Sequence, residues 1–579
     1  MSIRRGLTGR FGFIGLVMLT LLLAACGGGT PQTNSSNNNG MSNNQTLIYS
    51  TQGQLDVTDF DPAYSGGPIG PNFYFTGLVE LNEKNELIDQ LAQSHELASD
   101  GVTWTFHLKP NLTFSDGSPL TSEDVIYCIE RALKPETKSG NGPAYLGAIK
   151  DAIKLNSGKI KTIIGDSLLA PDPRTVVIVT EQKAAYFLQT LTYNTSFTVS
   201  KKYAEKYGNK LSDHLTDPIA AGPFVISQVQ DQKIIFTPNE HYYGPKPKLK
   251  KIIMAFYPDV DASYKAYLVG QVSLAKVPSV QRQSAKALPG NQYHQTPILG
   301  TSYYTMNYLT KPFDNIKIRQ AFALAINKDQ VAKSVFNDTV VPTNHIIPSG
   351  MPGYNPDLKG PSGISNTSGD PEMAKKLFDE GLKEEGLTRQ SLPPLTLTIY
   401  NVSADDGREA SVVQQMWQQV LGVSVKVDSM ESNAYRKAVD ATAHNPKGLI
   451  MWGAYWKADY PDPQNWMSTL FDKDAYFNSE NYSVNQSSNV ADQQKAVDLM
   501  KQADANMDQT ARMKQYNQAE QQVVNDVAWI PMYQMENLKV VKPCVQNYPY
   551  DAQFVPAPDS WANIYISNNP ICTSANAAG

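Results

Sequence analysis

Residues 455–463 hold the densest set of binding chemistry in the chain. They comprise the rings of Tyr455, Trp456 and Tyr460, the ammonium of Lys457, the carboxylate of Asp459, and a turn stiffened by Pro461 and Pro463. A ring with a polar handle covers apolar ligand surface and hydrogen-bonds at its edge, while a carboxylate beside it pairs with a cation. That set is suited to capture rather than bond breaking. Phe73-Tyr74-Phe75, Tyr242-Tyr243 and Tyr303-Tyr304 form further aromatic clusters in a chain with 30 Tyr and 7 Trp. For each cluster taken singly, the competing explanation is plain core packing.

A catalytic constellation is missing. The sequence has no Gly-x-Ser-x-Gly elbow, no Gly-x4-Gly-Lys phosphate loop and no His-Glu-x-x-His zinc helix. Its seven histidines are scattered from His95 to His444 without short metal-ligand spacing, so neither a metal nor a cofactor is expected. A net charge of -5 offers no footprint for nucleic acid. These exclusions favour a binder, with an uncharacterised secreted enzyme as the alternative class.

The N-terminus speaks to location. Arg4, Arg5 and Arg10 precede an apolar run at 11–23, which ends in Leu23-Ala24-Ala25-Cys26. This is the pattern of a secretory signal over 1–25, and the run is shorter than the roughly 20 residues that span a bilayer. A Cys directly after Leu-Ala-Ala resembles a bacterial lipobox, in which Cys26 becomes the lipid-modified first residue. The other readings are an ordinary signal with an incidental Cys, or an uncleaved anchor. Residues 26–45 are rich in Gly, Ser and Asn and read as a flexible tether that would lift a body off a membrane. Cys128 sits in an apolar helical pattern and reads as a small buried hydrophobe. Cys544 and Cys572 are left to pair, an arrangement that would tie down the C-terminal tail in an oxidising compartment.

The elements that must position these residues alternate between strand and helix. Val102, Trp104, Phe106 and Leu108 have the period of a half-buried strand. Thr121 with Asp124 reads as a capping box, and Lys134-Pro135 ends the helix it opens. Helices are expected from Asn315, from Asn327 as a fresh cap, and from Asp370-Pro371, with Gly386 as the stop of the last. A strand at 395–400, a helix at 409–421 and a strand at 423–427 imply a parallel pair. The class is mixed α/β, and about 530 residues of body leave room for more than one core.

Several segments, in this order, resemble the extracytoplasmic solute-binding proteins of ABC importers, in the oligopeptide, dipeptide and nickel group (family 5). They are 47–62, Phe75-Thr76-Gly77-Leu78, the Asp116-Gly117-Ser118-Pro119 run within 114–125, Gly222-Pro223-Phe224, 239–243, 311–321 and 458–463. The resemblance implies a two-lobed periplasmic-binding-protein fold (type II, cluster C) with an extra domain inserted in the first lobe. Lobe I would take 46–85, 205–300 and 526–579, the extra domain 86–204, and lobe II 301–525. It also implies a monomer that closes over an oligopeptide and delivers it to an ABC permease. Asp459 would pair with the ligand's free α-amino group, and Tyr455, Trp456 and Lys457 would offer main-chain hydrogen bonds. Tyr303 and Tyr304 would border the cleft, with Tyr145 near it.

Four positions depart from the family pattern. Gly453 and Ala454 stand where some relatives place an Arg for the ligand carboxylate, Ser273 replaces an Asp, and Asn327 replaces another. Alternative ligands on the same fold are a nickel chelate, an oligosaccharide or an opine-like compound. The scattered histidines and the retained Asp459 argue against nickel.

Overall fold

The computed structural model describes residues 40–64, 71–400, 403–550, 552–553 and 556–575. The expected signal peptide, Cys26 and the expected tether up to residue 39 lie outside the described residues. Residues 41–45, read from the sequence as tether, are bound to the C-terminal segment. Met41 bridges Ser567, and the Gln45 amide donates to Ile566 O at 2.8 Å while its oxygen accepts from Ile566 N at 2.9 Å. Two complementary amide bonds outweigh the entropy that composition alone assigns to this stretch.

One eleven-stranded mixed sheet runs through the body. Its order is Val425–Met430, Leu395–Tyr400, Met451–Lys457, Tyr293–Met306, Trp529–Val541, Leu274–Lys276, Thr46–Gln52, Lys251–Tyr257, Lys233–Pro238 and Phe224–Gln230, with Val341–Pro342 paired to Trp529–Val541. The two long central strands do different work at their two ends. Tyr293 to Pro297 pair with Val540 to Glu536, next to Leu274–Lys276, whereas Thr301 to Thr305 pair with Gln534 to Trp529, next to Met451–Lys457. Register shifts at Pro297/Thr301 and Ser302/Tyr303 separate the two halves. Bulges bend and twist a sheet, which lets one pair of strands serve two differently oriented halves.

Hydrophobic cores follow this division. Leu397, Trp417 and Val425 belong to a core in one half, and Leu47, Phe236 and Ile252 to a core in the other. A separate four-stranded sheet, Ala92–Leu97, Thr103–Leu108, Thr175–Val179 and Leu168–Asp172, packs with helix Ser122–Leu133 around Phe106, Val125, Ile129 and Val176. A buried ion pair ties this helix to the first segment of the chain. Arg131 donates to both Asp61 oxygens, at 2.8 and 2.5 Å.

Local signals account for most of the element starts. Thr121 and Asp124 form the capping box of Ser122–Leu133, Asn327 accepts from Gln330 N at 2.9 Å, and Asp370 accepts from Met373 N at 2.9 Å. Strands Leu395–Tyr400 and Val425–Met430 pair in parallel. The helix between them starts at Ala404 rather than 409, behind a Ser403/Asp406 capping box. Its first turn carries Asp405 and Asp406 instead of an apolar stripe, so periodicity does not mark it. Ser273 is structural: it exchanges hydrogen bonds with Ile48, N–H to hydroxyl at 3.0 Å and N–H to carbonyl at 2.9 Å. Cys544 and Cys572 are bonded, 28 residues apart. Cys128 is buried between the Val199 N–H and carbonyl, each 3.2 Å from its Sγ.

Candidate functional site

Strand Met451–Lys457 delivers its last residues to a short turn, and that turn is held from behind. Asp462 caps the turn Pro463–Asn465 by accepting from Gln464 N at 2.9 Å. Its two oxygens also receive Arg512 of helix Gln509–Asp526, at 2.7 and 2.5 Å, with both side chains nearly fully buried. The turn places Asn465, itself fully buried, against Asp459. Asn465 Oδ1 accepts from Asp459 N at 2.9 Å and Asn465 Nδ2 donates to Asp459 Oδ2 at 3.2 Å. The Trp456 indole donates to the same Asn465 Oδ1 at 3.3 Å.

Tyr145 approaches from the separate four-stranded unit. Its hydroxyl donates to Asp459 Oδ2 at 2.6 Å, and its ring lies 4.0 Å from Tyr193 and 6.1 Å, edge-on, from Tyr460. Both side-chain donors therefore converge on Oδ2, and Oδ1 accepts no hydrogen bond among the described residues. Asp459 keeps part of its surface in contact with water. Even so, desolvation pushes its carboxyl up to about 6, against the lowering effect of Tyr145 and Asn465. A carboxylate held this way is under-compensated and suited to receive a cationic donor on Oδ1.

The main chain leading to Asp459 has an open edge. On one side Met451–Lys457 is paired over its whole length, from Met306 opposite Met451 to Gly300 opposite Lys457. On the other side, pairing with Leu395–Tyr400 stops at Ile399 opposite Gly453. Residues 454–456 thus have no strand partner on that edge among the described residues. Ala458 N bonds Leu299 O at 2.8 Å, so the antiparallel alternation turns the main-chain groups of Tyr455 and Lys457 toward the open edge. Tyr455 is 47% exposed, with the Lys457 ammonium 5.4 Å from its ring centre.

Asp459, Trp456 and Tyr145 are brought together directly, and Tyr455 and Lys457 continue the same strand. Tyr303 shares a core with Ala458 and the half-buried Trp456, while Tyr304 belongs to a different core. Tyr303 stacks on Trp529 with ring centres 3.4 Å apart, and Tyr304 is buried with its ring 6.2 Å from Trp417. A Cβ on Gly453 would lie 2.7 Å from Tyr304 Cε1, so Tyr304 fills the space where the sequence lacks the expected arginine. Phe73, Tyr74, Phe75 and Tyr242 are core residues. Among the described residues no group of three or more His, Cys, Asp or Glu could hold a metal ion, and no helix is long and apolar enough to cross a membrane.

Sequence reasoning passed over Asn465, Asp462 as a buried anchor, and Arg512. Asn465 was findable, because it lies six residues after Asp459 behind two prolines and a capping Asp. Arg512 carried no local signal, since its partner is 50 residues away.

A half-sheet on either side of two crossing strands, with a carboxylate at the end of an open strand edge, defines a two-lobed solute-binding protein. The chain belongs to the bacterial extracellular solute-binding proteins, family 5, whose model (the middle region) matches residues 86–478. It is 28% identical over 454 residues to the oligopeptide-binding protein OppA of Bacillus subtilis (strain 168), covering 76% of this chain and 81% of that one. It is also 28% identical over 507 residues to the dipeptide-binding protein of Escherichia coli (strain K12), covering 84% and 88%. Among solved structures, Haemophilus influenzae OppA in complex with RPPGFSPFR superposes with a TM-score of 0.76 at 22% identity, covering 91% and 99%.

Proposed function

We propose that this protein captures short peptides by their free amino terminus outside the membrane and delivers them to an ABC import permease. In this reading Cys26 carries the lipid that anchors it. Lobe I comprises 46–85, 205–300 and 526–579, the extra domain 86–204 and lobe II 301–525. The observation that carries the proposal is the edge of 454–456, without a strand partner among the described residues, leading into Asp459. An extended peptide adds to that edge through main-chain bonds, leaving its side chains free to vary, and its ammonium meets Asp459 Oδ1. Peptide-binding names among the relatives support the same choice of ligand.

Closure follows from the geometry. Tyr145 reaches Asp459 across the boundary between units, and Ser279 Oγ donates to Asp405 Oδ2 at 2.7 Å between the two halves of the large sheet. Contacts made by both sides exist only when they are together, so a ligand that touches both shifts the population toward the closed form.

Thermal-shift titration against peptides, simple sugars and a nickel chelate tests the choice of ligand. Stabilisation by peptides is the expected outcome, and a response to sugars or the chelate alone would overturn it. Peptide affinity should also depend on pH with a defined sign. The free carboxyl titrates near 6 and must be ionised to pair, so affinity falls about tenfold per unit below pH 6. It falls again above about 8, where an α-amino group loses its proton. A flat profile between about pH 4.5 and about pH 7 would remove Asp459 from the anchor role.

A further inference from the structure

The first and last described segments of the chain lie side by side. Met41 bridges Ser567 in antiparallel sense, Ser42 N donates to Ile566 O at 2.7 Å, and Asn568 N donates to Gly40 O at 2.8 Å. The buried Gln45 side chain joins Ile566 in both directions, at 2.8 and 2.9 Å. On its other side the same C-terminal segment pairs with Val545 and Gln546, opposite Ile566 and Tyr565, and Ser567 N donates to Cys544 O at 2.8 Å. Residues 565–568 are thus the middle of three paired segments, and the N-terminal lead-in is an outer one.

A middle segment so short, and so near the end of the chain, frays unless it is tied down. Here the tie is covalent. Beyond Asn568 the short helix Pro570–Ala575 carries Cys572 back to Cys544, the residue whose carbonyl receives Ser567 N. Cys544 N also donates to Cys572 Sγ at 3.2 Å. A Cβ on Gly290 would lie 2.7 Å from Ile571 Cδ1 and 3.0 Å from Pro543 Cγ, so the glycine leaves the room in which this helix sits. The disulfide closes a loop across 28 positions, and the middle segment lies inside it. Such a cross-link cuts the freedom of the opened segment, so fewer open states compete with the paired one.

We propose that the Cys544–Cys572 disulfide is the lock of a clamp that fastens the N-terminal lead-in, so that the folded body begins at Gly40 and not at Gln45. Gln45 has a second hold, since its carbonyl accepts from Lys250 N at 2.8 Å beside the main sheet. The hydrogen bonds that 40–42 make to other segments run to 566–568 alone among the described residues. Opening the clamp hands 40–44 to the tether, which adds about 18 Å of reach at full extension. In a protein anchored through Cys26, a pull from the membrane meets this clamp first. That consequence rests on the anchoring reading, whereas the clamp itself does not.

Hydrogen exchange read by mass spectrometry tests the clamp in three samples: the parent protein, the parent opened with a phosphine reductant, and the variant with both Cys544→Ser and Cys572→Ser. Cys572 is only partly buried, which lets the reductant reach the bond. Amides of 41–45 and 566–568 should be protected in the parent and exchange at least about tenfold faster once the bond is lost, while helix Ala404–Leu421 keeps its protection. Gln45→Ala, which removes both side-chain bonds to Ile566 and leaves the disulfide, should speed exchange at 41–44 but not at 570–575. A broad-specificity protease should cut within 40–45 only in the opened forms. Unchanged exchange at 41–45 after reduction and substitution would overturn the inference, as would a lead-in that exchanges freely in the intact parent. Should the double variant fail to fold, the reduced parent decides by the same criteria. A chain found free of the membrane would overturn the anchoring reading and leave the exchange result in force.

Discussion

Asp459→Asn is expected to lose about 2–5 kcal/mol of peptide affinity, roughly thirtyfold to several thousandfold. The substitution isolates charge from shape. Tyr145 and Asn465 both donate to one oxygen, Oδ2, so an asparagine oxygen in that place accepts the same two bonds. What disappears is the anion facing the ligand ammonium. N-acetylation of the peptide should cost the parent protein a similar amount and cost the variant little more, as expected when both changes remove one interaction. Stability should move the other way. The folded carboxyl titrates near 6, above its ordinary value of 3.8, because burial disfavours its ionised form. The group therefore lends stability at low pH that is lost as pH rises through 6. The asparagine variant never ionises, so above that pH it should be the more stable protein, by at most about 3 kcal/mol. The gap should close toward pH 4. Binding lost together with stability would mark Asp459 as a structural residue instead.

Arg512→Met should destabilise the fold by about 3–5 kcal/mol, since it leaves the Asp462 carboxylate buried without its partner. Arg512 and Asp462 are 1% and 7% exposed, and their bidentate pair fixes the turn that seats Asn465 behind Asp459. Adding Asp462→Asn should recover part of the loss, because the second change removes the stranded charge. Denaturant unfolding of the four proteins in this cycle measures the coupling. Hydrogen exchange should show the loosening concentrated at 459–471. Additive losses in the cycle would mean that the pair contributes nothing as a pair.

How much of this was legible in the sequence depended on the range of each interaction. Thr121 with Asp124, Asn327 with Gln330, and Asp370 with Pro371 are caps whose partners lie within three residues, and each opens the helix it marks. The helix beginning at Ala404 was read late, because a polar first turn hides its apolar stripe. Asp459 was found through a local motif; resemblance placed Tyr145 near the cleft, and its bond to Asp459 carried no sequence signal. Tyr303 and Tyr304 show the limit of that route: strand alternation and ring size suit a cleft wall or a core equally, and a stack on Trp529 and an edge contact with Trp417 are legible only in the fold. Arg512 was invisible because its partner, Asp462, lies 50 residues away and is brought to it only by the fold. The open edge at 454–456 is also a property of pairing, set by where Leu395–Tyr400 stops.

The central claim is that a free amino terminus is held at Asp459. Isothermal titration of the parent protein at about pH 7 with one alanine-based peptide, free and N-acetylated, tests it most directly. Saturable binding of the free peptide is predicted, with the acetylated form weaker by about thirtyfold or more. Equal binding of the two forms would contradict the claim.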